Sequence, residues 1–491
     1  YYANIPRKKK QQQMNRNIMP SKKLNITAII ITLLFATQNT VFANLKELKH
    51  EKLQKQNPKL SCSSVYDYRL SAININWWDN FTDEYLKDYI YTAIEKNHNL
   101  KKAALRTQEY RENIKLQMSH ELPGLMLSPT FGRIKTSQNQ IFDIQASEIR
   151  TNLYAIPLFA SYEADIFLKN HDKTNSAKKE YEAQDYEEKA AAIAIAVDVA
   201  SLYTNIIKLD KIIKTQEKIN NIREEIWKLT KERHAAGLAS VYDVTYSDRL
   251  HTQSQIELND LKRQRSLLLN ELSVYIDKAP CESASLKRGS FDKLEYKGKI
   301  PKCISSEVVS LRPDIMKAEA NLQKAKIDVR VARKDFLPSI MIVGSTGYNS
   351  LLLEDLFNWE NVFGLAAISA MQKLFTGGHL TANLRMKKLK YEQLFEEYKQ
   401  ADLTALQEIN DAMCLIKYDT TKDNDNLKKV KLEQKNFSLV QERHREGIIS
   451  YLEMIQFQET LLSLQTEKDN SKAQRLIDYM TLYKATGTKF Q

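Results

Sequence analysis

Glu442-Arg443-His444-Arg445-Glu446-Gly447-Ile448-Ile449-Ser450 is the stretch that decides how this chain is read. Gly447 stands alone, since no other glycine lies between Gly378 and Gly487 and no proline follows Pro338. A lone glycine in a long run of helical periodicity marks a helix C-terminus, because glycine takes the left-handed conformation at little cost. Ser450 is placed to cap the helix that follows. The stretch reads as the tip of a helical hairpin.

The same signature occurs earlier, at Glu232-Arg233-His234-Ala235-Ala236-Gly237-Leu238-Ala239-Ser240. Gly237 is again isolated, between Gly132 and Gly289. Upstream, Tyr186, Ala190, Ile193, Val197, Ala200, Leu202, Tyr203, Ile206, Leu209 and Ile213 keep helical spacing, and the helix is expected from about residue 171 to 232. Some 60 residues at 1.5 Å each give ~90 Å, too long for a helix that buries its stripe alone, so it must pack as a coiled coil or tube. Return helices are expected over about 241–276 and 451–483, and a second long helix over about 381–445.

A second echo precedes each hairpin. Lys102, Ala103, Gln108, Leu122, Pro123 and Gly132 recur as Lys317, Ala318, Gln323, Leu337, Pro338 and Gly347. Two echoes in one order point to duplication. Period-two residues follow each echo. Leu125, Leu127 and Phe131 share one side, and Ser128, Thr130 and Gly132 the other. Strands are expected at about 125–133 and 153–167, then at about 340–348 and 362–374. Strands of ~10 residues can cross a bilayer in a closed barrel, although the first pair alone would suit a small soluble hairpin.

The 491 residues divide as 1–43, upstream residues and a secretory signal; 44–311, a lead-in and first repeat with its tip at about 233–243; and 312–491, a second repeat with its tip at about 443–453. Lys22 and Lys23, the apolar run Leu24 to Ala36 and the small-residue end Val41-Phe42-Ala43 carry the signal reading; an uncleaved anchor is the alternative. The mature chain is expected to begin near Asn44, outside the cytoplasm. Residues 1–43 hold seven basic residues and no acid, so the formal charge of +12 leaves a surplus of five beyond them. That is a solvated surface, not a nucleic-acid footprint.

Cys62, Cys281, Cys303 and Cys414 show no metal or redox spacing. Cys281 and Cys303 flank a short segment with Gly289, Gly298 and Pro301, and could pair in an oxidising compartment or stay as thiols. His234 and His444 have no Asp, Cys or Ser constellation and read as tip surface, while Gly377-Gly378 lacks the flanks of a phosphate loop. No catalytic residue, metal or cofactor is expected.

Four strands per chain cannot close a barrel, which needs about eight or more. If they span a membrane, the chain must oligomerise. Strands in a membrane and long, partly polar helices in water suggest a conduit from an outer membrane into the periplasm. The fold class is then mainly α, with long helical hairpins forming an α-barrel tunnel and a small membrane β portion.

Arg312-Pro313-Asp314-Ile315, Ala318-Glu319, Phe336-Leu337-Pro338-Ser339, Leu374-Phe375-Thr376-Gly377-Gly378, Ala405-Leu406-Gln407-Glu408-Ile409 and the two Arg-x-x-x-Gly-x-x-Ser tips resemble the signature of TolC-like outer-membrane factors. The likeness runs from about Trp78 to Gly487 and is closest to the branch serving resistance–nodulation–division efflux pumps. It implies a homotrimer whose strands build a barrel of about 12. It implies a passive conduit for small molecules such as drugs, joined to a periplasmic adaptor and an inner-membrane pump. Adaptor contact falls by resemblance on Gly237, Leu238, Ser240, Gly447, Ile448 and Ser450. A periplasmic gate falls on Leu452, Glu453 and Gln456, with ordinary coiled-coil core as the alternative for Leu452. Three features depart from the family: Gln456 stands where Asp is frequent, Lys373 where a proline often precedes Leu-Phe, and no cysteine follows the signal cut to carry a lipid. The alternative function is a secreted coiled-coil scaffold or adhesin without a pore.

Overall fold

The computed structural model describes residues 76–135, 150–301, 304 and 307–487, all within the unit Leu70–Gln491. The signal, the start near Asn44, Cys62 and Cys303 lie outside the described residues. In chain order the main elements are α1 (Glu84–Lys96), α2 (His98–Ser119), β1 (Gly124–Leu127), β2 (Thr130–Lys135), β3 (Arg150–Ala164), α3 (Lys169–Ala235), α4 (Val241–Tyr275), α5 (Glu307–Ser310), α6 (Pro313–Lys334), β4 (Ser339–Ser350), β5 (Val362–Met371), α7 (His379–Arg445) and α8 (Tyr451–Thr486).

Helices α3 and α7 each run 67 residues, ~100 Å at 1.5 Å per residue. Neither contains glycine or proline, so nothing breaks them before the tips. The start of α3 also sets the end of β3. Asp165 accepts the backbone N–H of Lys169 at 2.6 Å and of His171 at 2.8 Å, while Leu168 turns left-handed. The strand expected to reach residue 167 therefore stops at Ala164. Likewise β5 stops at Met371 rather than near 374, where Gln372 turns its amide onto the carbonyl of Phe336 at 2.8 Å.

The sheet is antiparallel in the order β1–β3–β4–β5, with β2 also on β3. β1 and β2 keep one register on β3, from Gly124 opposite Ser161 to Lys135 opposite Arg150. They are one strand interrupted at Pro129, which has no N–H to give the ladder. The neighbouring Ser128 still donates to the carbonyl of Pro157 at 3.1 Å. Four strand widths result, and among the described residues both edges of the sheet are unpaired.

Among the helices, α3 is central, packing on α2, α4, α6 and α8; α7 packs on α6 and α8. One apolar core gathers Trp77, Trp78, Phe81, Leu86 and Ile90 with Tyr203, Ile206 and Ile207 of α3, Leu272 of α4 and Leu476 and Met480 of α8. Such buried side chains stabilise by ~1.5–3 kcal/mol each. They also explain why α3, apolar enough in one window to cross a membrane, is a core helix here.

A second core packs Val309 and Ile315 against Ala405, Ile409, Ala412 and Ile416 of α7 and Leu482 and Ala485 of α8. Arg312 joins these pieces. Its guanidinium donates to Asp314 Oδ2 at 2.7 Å, to Glu408 Oε2 at 2.6 Å, and to the carbonyl of Ala485 near the end of α8. A buried guanidinium needs such partners, and a helix C-terminus favours a cation. The Arg-Pro-Asp sequence is thus a junction, with Pro313 opening α6.

Candidate functional site: the hairpin tips and the strand faces

Both tips close by the same hydrogen bonds. At the first, Leu238 N–H donates to the Arg233 carbonyl at 2.8 Å and Gly237 N–H to that of His234 at 2.9 Å. At the second, Ile448 donates to Arg443 and Gly447 to His444, each at 2.9 Å. This is a Schellman turn, and the glycines take φ +75° and +73° as it requires. The following helices start with capping boxes. Ser240 Oγ accepts from Asp243 N at 3.1 Å while Asp243 accepts from Ser240 N at 2.9 Å; Ser450 and Glu453 repeat this at 3.2 and 2.9 Å. The Ser450 backbone N–H, more than any charge, holds the Glu453 carboxyl below its ordinary range. Glu453 therefore has a local partner that its sequence reading as a gate residue did not include. Ser-x-x-Asp and Ser-x-x-Glu spell out both boxes in the sequence.

The histidines brace the tips. His234 Nδ1–H donates to the Ala239 carbonyl at 2.8 Å, and His444 Nδ1–H to that of Ile449 at 3.1 Å. A Schellman turn is commonly clasped by an apolar contact across it, but the opposing residues here are Arg233 and Arg443. Leu238 and Ile448 stay 70% and 63% exposed. The histidine closes each turn from the other side, leaving an apolar side chain presented beside a bare glycine.

The two tips sit in different surroundings. Leu452 is half-buried against Ile219, Ile222, Ile455 and Leu462, a core between α3 and α8. Gln456 and Glu453 are exposed and begin a polar stripe continued by Thr460, Ser463, Glu467 and Asn470 at i, i+3, i+4 spacing. The hairpins are tied together above the tips: Arg223 of α3 grips Glu459 of α8 through Nε at 2.9 Å and Nη2 at 2.7 Å, and Tyr451 donates to Glu225. Sequence reasoning missed these ties, because nothing in either helix shows which other helix it faces. Cys281 is an exposed free thiol; its suggested partner Cys303 is outside the described residues.

The strand register sorts the sheet into two faces. One carries Leu125, Leu127, Phe131, Tyr154, Ile156, Leu158, Ala160, Tyr162, Ile340, Ile342, Tyr348, Val362 and Ile368. The other holds Ser128, Thr130, Ser161, Glu163, Ser345, Asn349 and Ser369 interleaved with Met126, Leu153, Phe159, Val343, Phe363 and Leu365, and is the more polar of the two. Tyr154 and Tyr162 bracket the apolar face, eight residues or ~26 Å apart along β3, of the order of the ~25 Å apolar band of outer-membrane barrels.

A family model described as outer membrane efflux protein matches residues 89–276 and 304–488. The probable efflux pump outer membrane protein TtgC of Pseudomonas putida is 25% identical over 433 residues, 88% of each chain. Outer membrane protein OprJ of Pseudomonas aeruginosa is 25% identical over 424 residues, 85% of this chain and 87% of that one. The Campylobacter jejuni CmeC outer membrane channel shares the fold with a TM-score of 0.78 at 22% identity, over 84% of this chain and 87% of that one. The chain belongs to the outer membrane efflux protein family: it is the outer-membrane channel of an efflux system.

Proposed function

We propose that three copies of the chain close into one passive conduit, a barrel of about 12 strands above a helical tunnel, docked by its tips on a periplasmic adaptor of an inner-membrane pump. The observation that carries this reading is a match between two unpaired edges. Helix α4 exposes Tyr246, Ile256 and Leu267, which stand 9, 19 and 30 residues past Gly237. Helix α7 exposes Leu439, Leu432 and Tyr418 at heptad spacing, which stand 8, 15 and 29 residues before Gly447. With the tips level, α4 of one copy meets α7 of the next with Tyr246 beside Leu439 and Leu267 beside Tyr418. The two open strand edges meet in the same closure, which removes unpaired backbone from the membrane.

Adaptor docking falls on Gly237, Leu238 and Ser240 and on Gly447, Ile448 and Ser450, where the turns present leucine and isoleucine. The gate falls beside the second tip. Glu453 and Gln456 line the aperture, three copies of Glu453 attracting cations, and Leu452 links the aperture to the hairpin core. Opening requires α8 to leave α3, so Arg223–Glu459 holds the closed state. The cargo is small molecules, selected upstream by the pump.

The test is Leu267→Cys with Tyr418→Cys in a background whose native cysteines are serine. α4 and α7 do not pack within one chain, so oxidation is expected to link neighbours into a covalent trimer. Uncrosslinked chains, or products that stop at dimer, overturn the ring.

A further inference from the structure

The loop between β4 and β5 exposes Leu351, Leu352, Leu353, Phe357 and Trp359, the last at 83%. It is nevertheless a built loop. Asp355 accepts from Asn358 N–H at 2.9 Å and from the Asn361 amide at 2.6 Å on its carbonyl, and from the Asn358 amide at 3.0 Å on its carboxylate. Leu356 is buried beneath it. These bonds hold Trp359 in a short 3-10 turn, Trp359–Asn361, at the start of β5.

The direction of the fold-over is fixed by one ring contact. Phe357 packs edge-on against Tyr348 at 5.5 Å. Tyr348 lies opposite Ile156 and Val362, on the apolar face with Ile342, Ile368 and Phe131. The loop therefore leans over the face of Tyr348, Ile342 and Ile368, which is read as lipid-facing, and away from the more polar face. Phe131 and Tyr154, ring centroids 5.0 Å apart, lie at a similar level, and the register puts Arg133 and Lys135 on the same face just beyond them. Apolar residues, then aromatic rings, then cations is the order of a bilayer boundary, where phosphates sit outside the acyl chains.

We propose that the β4–β5 loop is a lipid anchor: Trp359, Phe357 and the three leucines insert at the boundary between headgroups and acyl chains of the outer leaflet, and Arg133 and Lys135 meet its phosphates. The proposal rests on the reading of the apolar face as lipid-facing. The loop acids Glu354 and Glu360 are exposed and stay on the aqueous side of the boundary.

The experiment is fluorescence quenching of Trp359 in the assembled channel, reconstituted in phosphatidylcholine vesicles. Trp227 is replaced by phenylalanine; Trp77 and Trp78 are buried in the helical core, and Trp359→Phe gives their background. A doxyl group near the acyl carbonyl is expected to quench Trp359 about twofold more than one near the chain end, with aqueous iodide nearly without effect. Quenching by iodide and not by doxyl lipid, or by neither, overturns the anchor. Ile368→Trp in the Trp359→Phe background separates the two readings. If that residue also escapes doxyl lipid, the lipid-facing assignment fails; if it is quenched while Trp359 is not, only the anchor fails.

Discussion

The two hairpins have the same backbone at their tips and different neighbours along their return helices. After the first tip, α4 lies at an edge, touching α3 and leaving Val241, Tyr242, Tyr246 and Ile256 exposed. After the second, α8 lies between α3 and α7, burying Ile455, Leu461 and Leu462. Turn geometry is set by nearest neighbours in sequence, and so two similar stretches build similar turns. Packing is set by position in the layer, and so the same turn serves an outer hairpin and an inner one. The inner one is the hairpin whose return helix is held by contacts across the layer.

The largest expected effect breaks or upholds that contrast directly. Ile455→Ala should cost ~2–4 kcal/mol of stability, since the side chain is fully enclosed, whereas Ile256→Ala should leave the chain's own stability almost unchanged and weaken assembly. Denaturant midpoints and the trimer fraction in detergent check both; equal midpoints would erase the distinction between inner and outer hairpin.

An intermediate effect comes from the polar contacts within each hairpin. Those between α3 and α4 match opposite charges, as in Arg265–Asp210 at 3.2 Å and Lys262–Glu217 at 3.3 Å. Between α7 and α8, Lys429–Glu467 and Arg475–Asp423 do the same, but Asp478, 1% exposed, also has Asp419 beside it. Burial pushes its carboxyl up to about 6, the Asp419 charge adds to this, and the Gln474 amide opposes it. The folded chain then binds more protons than the unfolded one between about pH 4 and 6, so stability falls as pH rises through that window. Asp478→Asn should flatten this slope and gain on the order of 2 kcal/mol at neutral pH. Thermal midpoints at pH 4.5 and 7.5 read it out, and an unchanged slope would rule out Asp478 as its source.

The smallest effect sharpens the likeness instead. His234→Phe and His444→Phe should each lose about 1 kcal/mol by removing one hydrogen bond, seen as faster amide exchange at Leu238 and Ile448. Asparagine, whose amide nitrogen reaches about where Nδ1 stood, should restore protection. A change at one tip alone would show that the two turns are braced differently.

Much of this was legible in the sequence because it was local. Isolated Gly237 and Gly447 gave the turns, and period-two residues gave the strands to within a few positions. What was illegible was relational. The apolar stripe of α4 and that of α8 look alike on paper, yet one is covered within the chain and the other is not. Arg223 and Glu459 are ordinary helix-surface residues until the helices are set side by side. The ends of β3 and β5 depended on Asp165 and Gln372 reaching over a turn, and the histidine braces on a carbonyl five residues on. Leu452 reads in the sequence as a gate residue or as coiled-coil core, and within the chain it packs on Ile219, Ile222, Ile455 and Leu462.

The Arg312 junction bears on how the channel is made. Its guanidinium is satisfied in part by the Ala485 carbonyl, and Gly487, at φ +64°, passes so close to Pro313 that an added Cβ would stand 3.1 Å from its ring. The start of α6 therefore waits, during synthesis, for residues made some 170 positions later. Until then the Arg312 guanidinium keeps water in place of the Ala485 carbonyl, and the joint between the start of α6 and the end of α8 closes only when the last helix arrives.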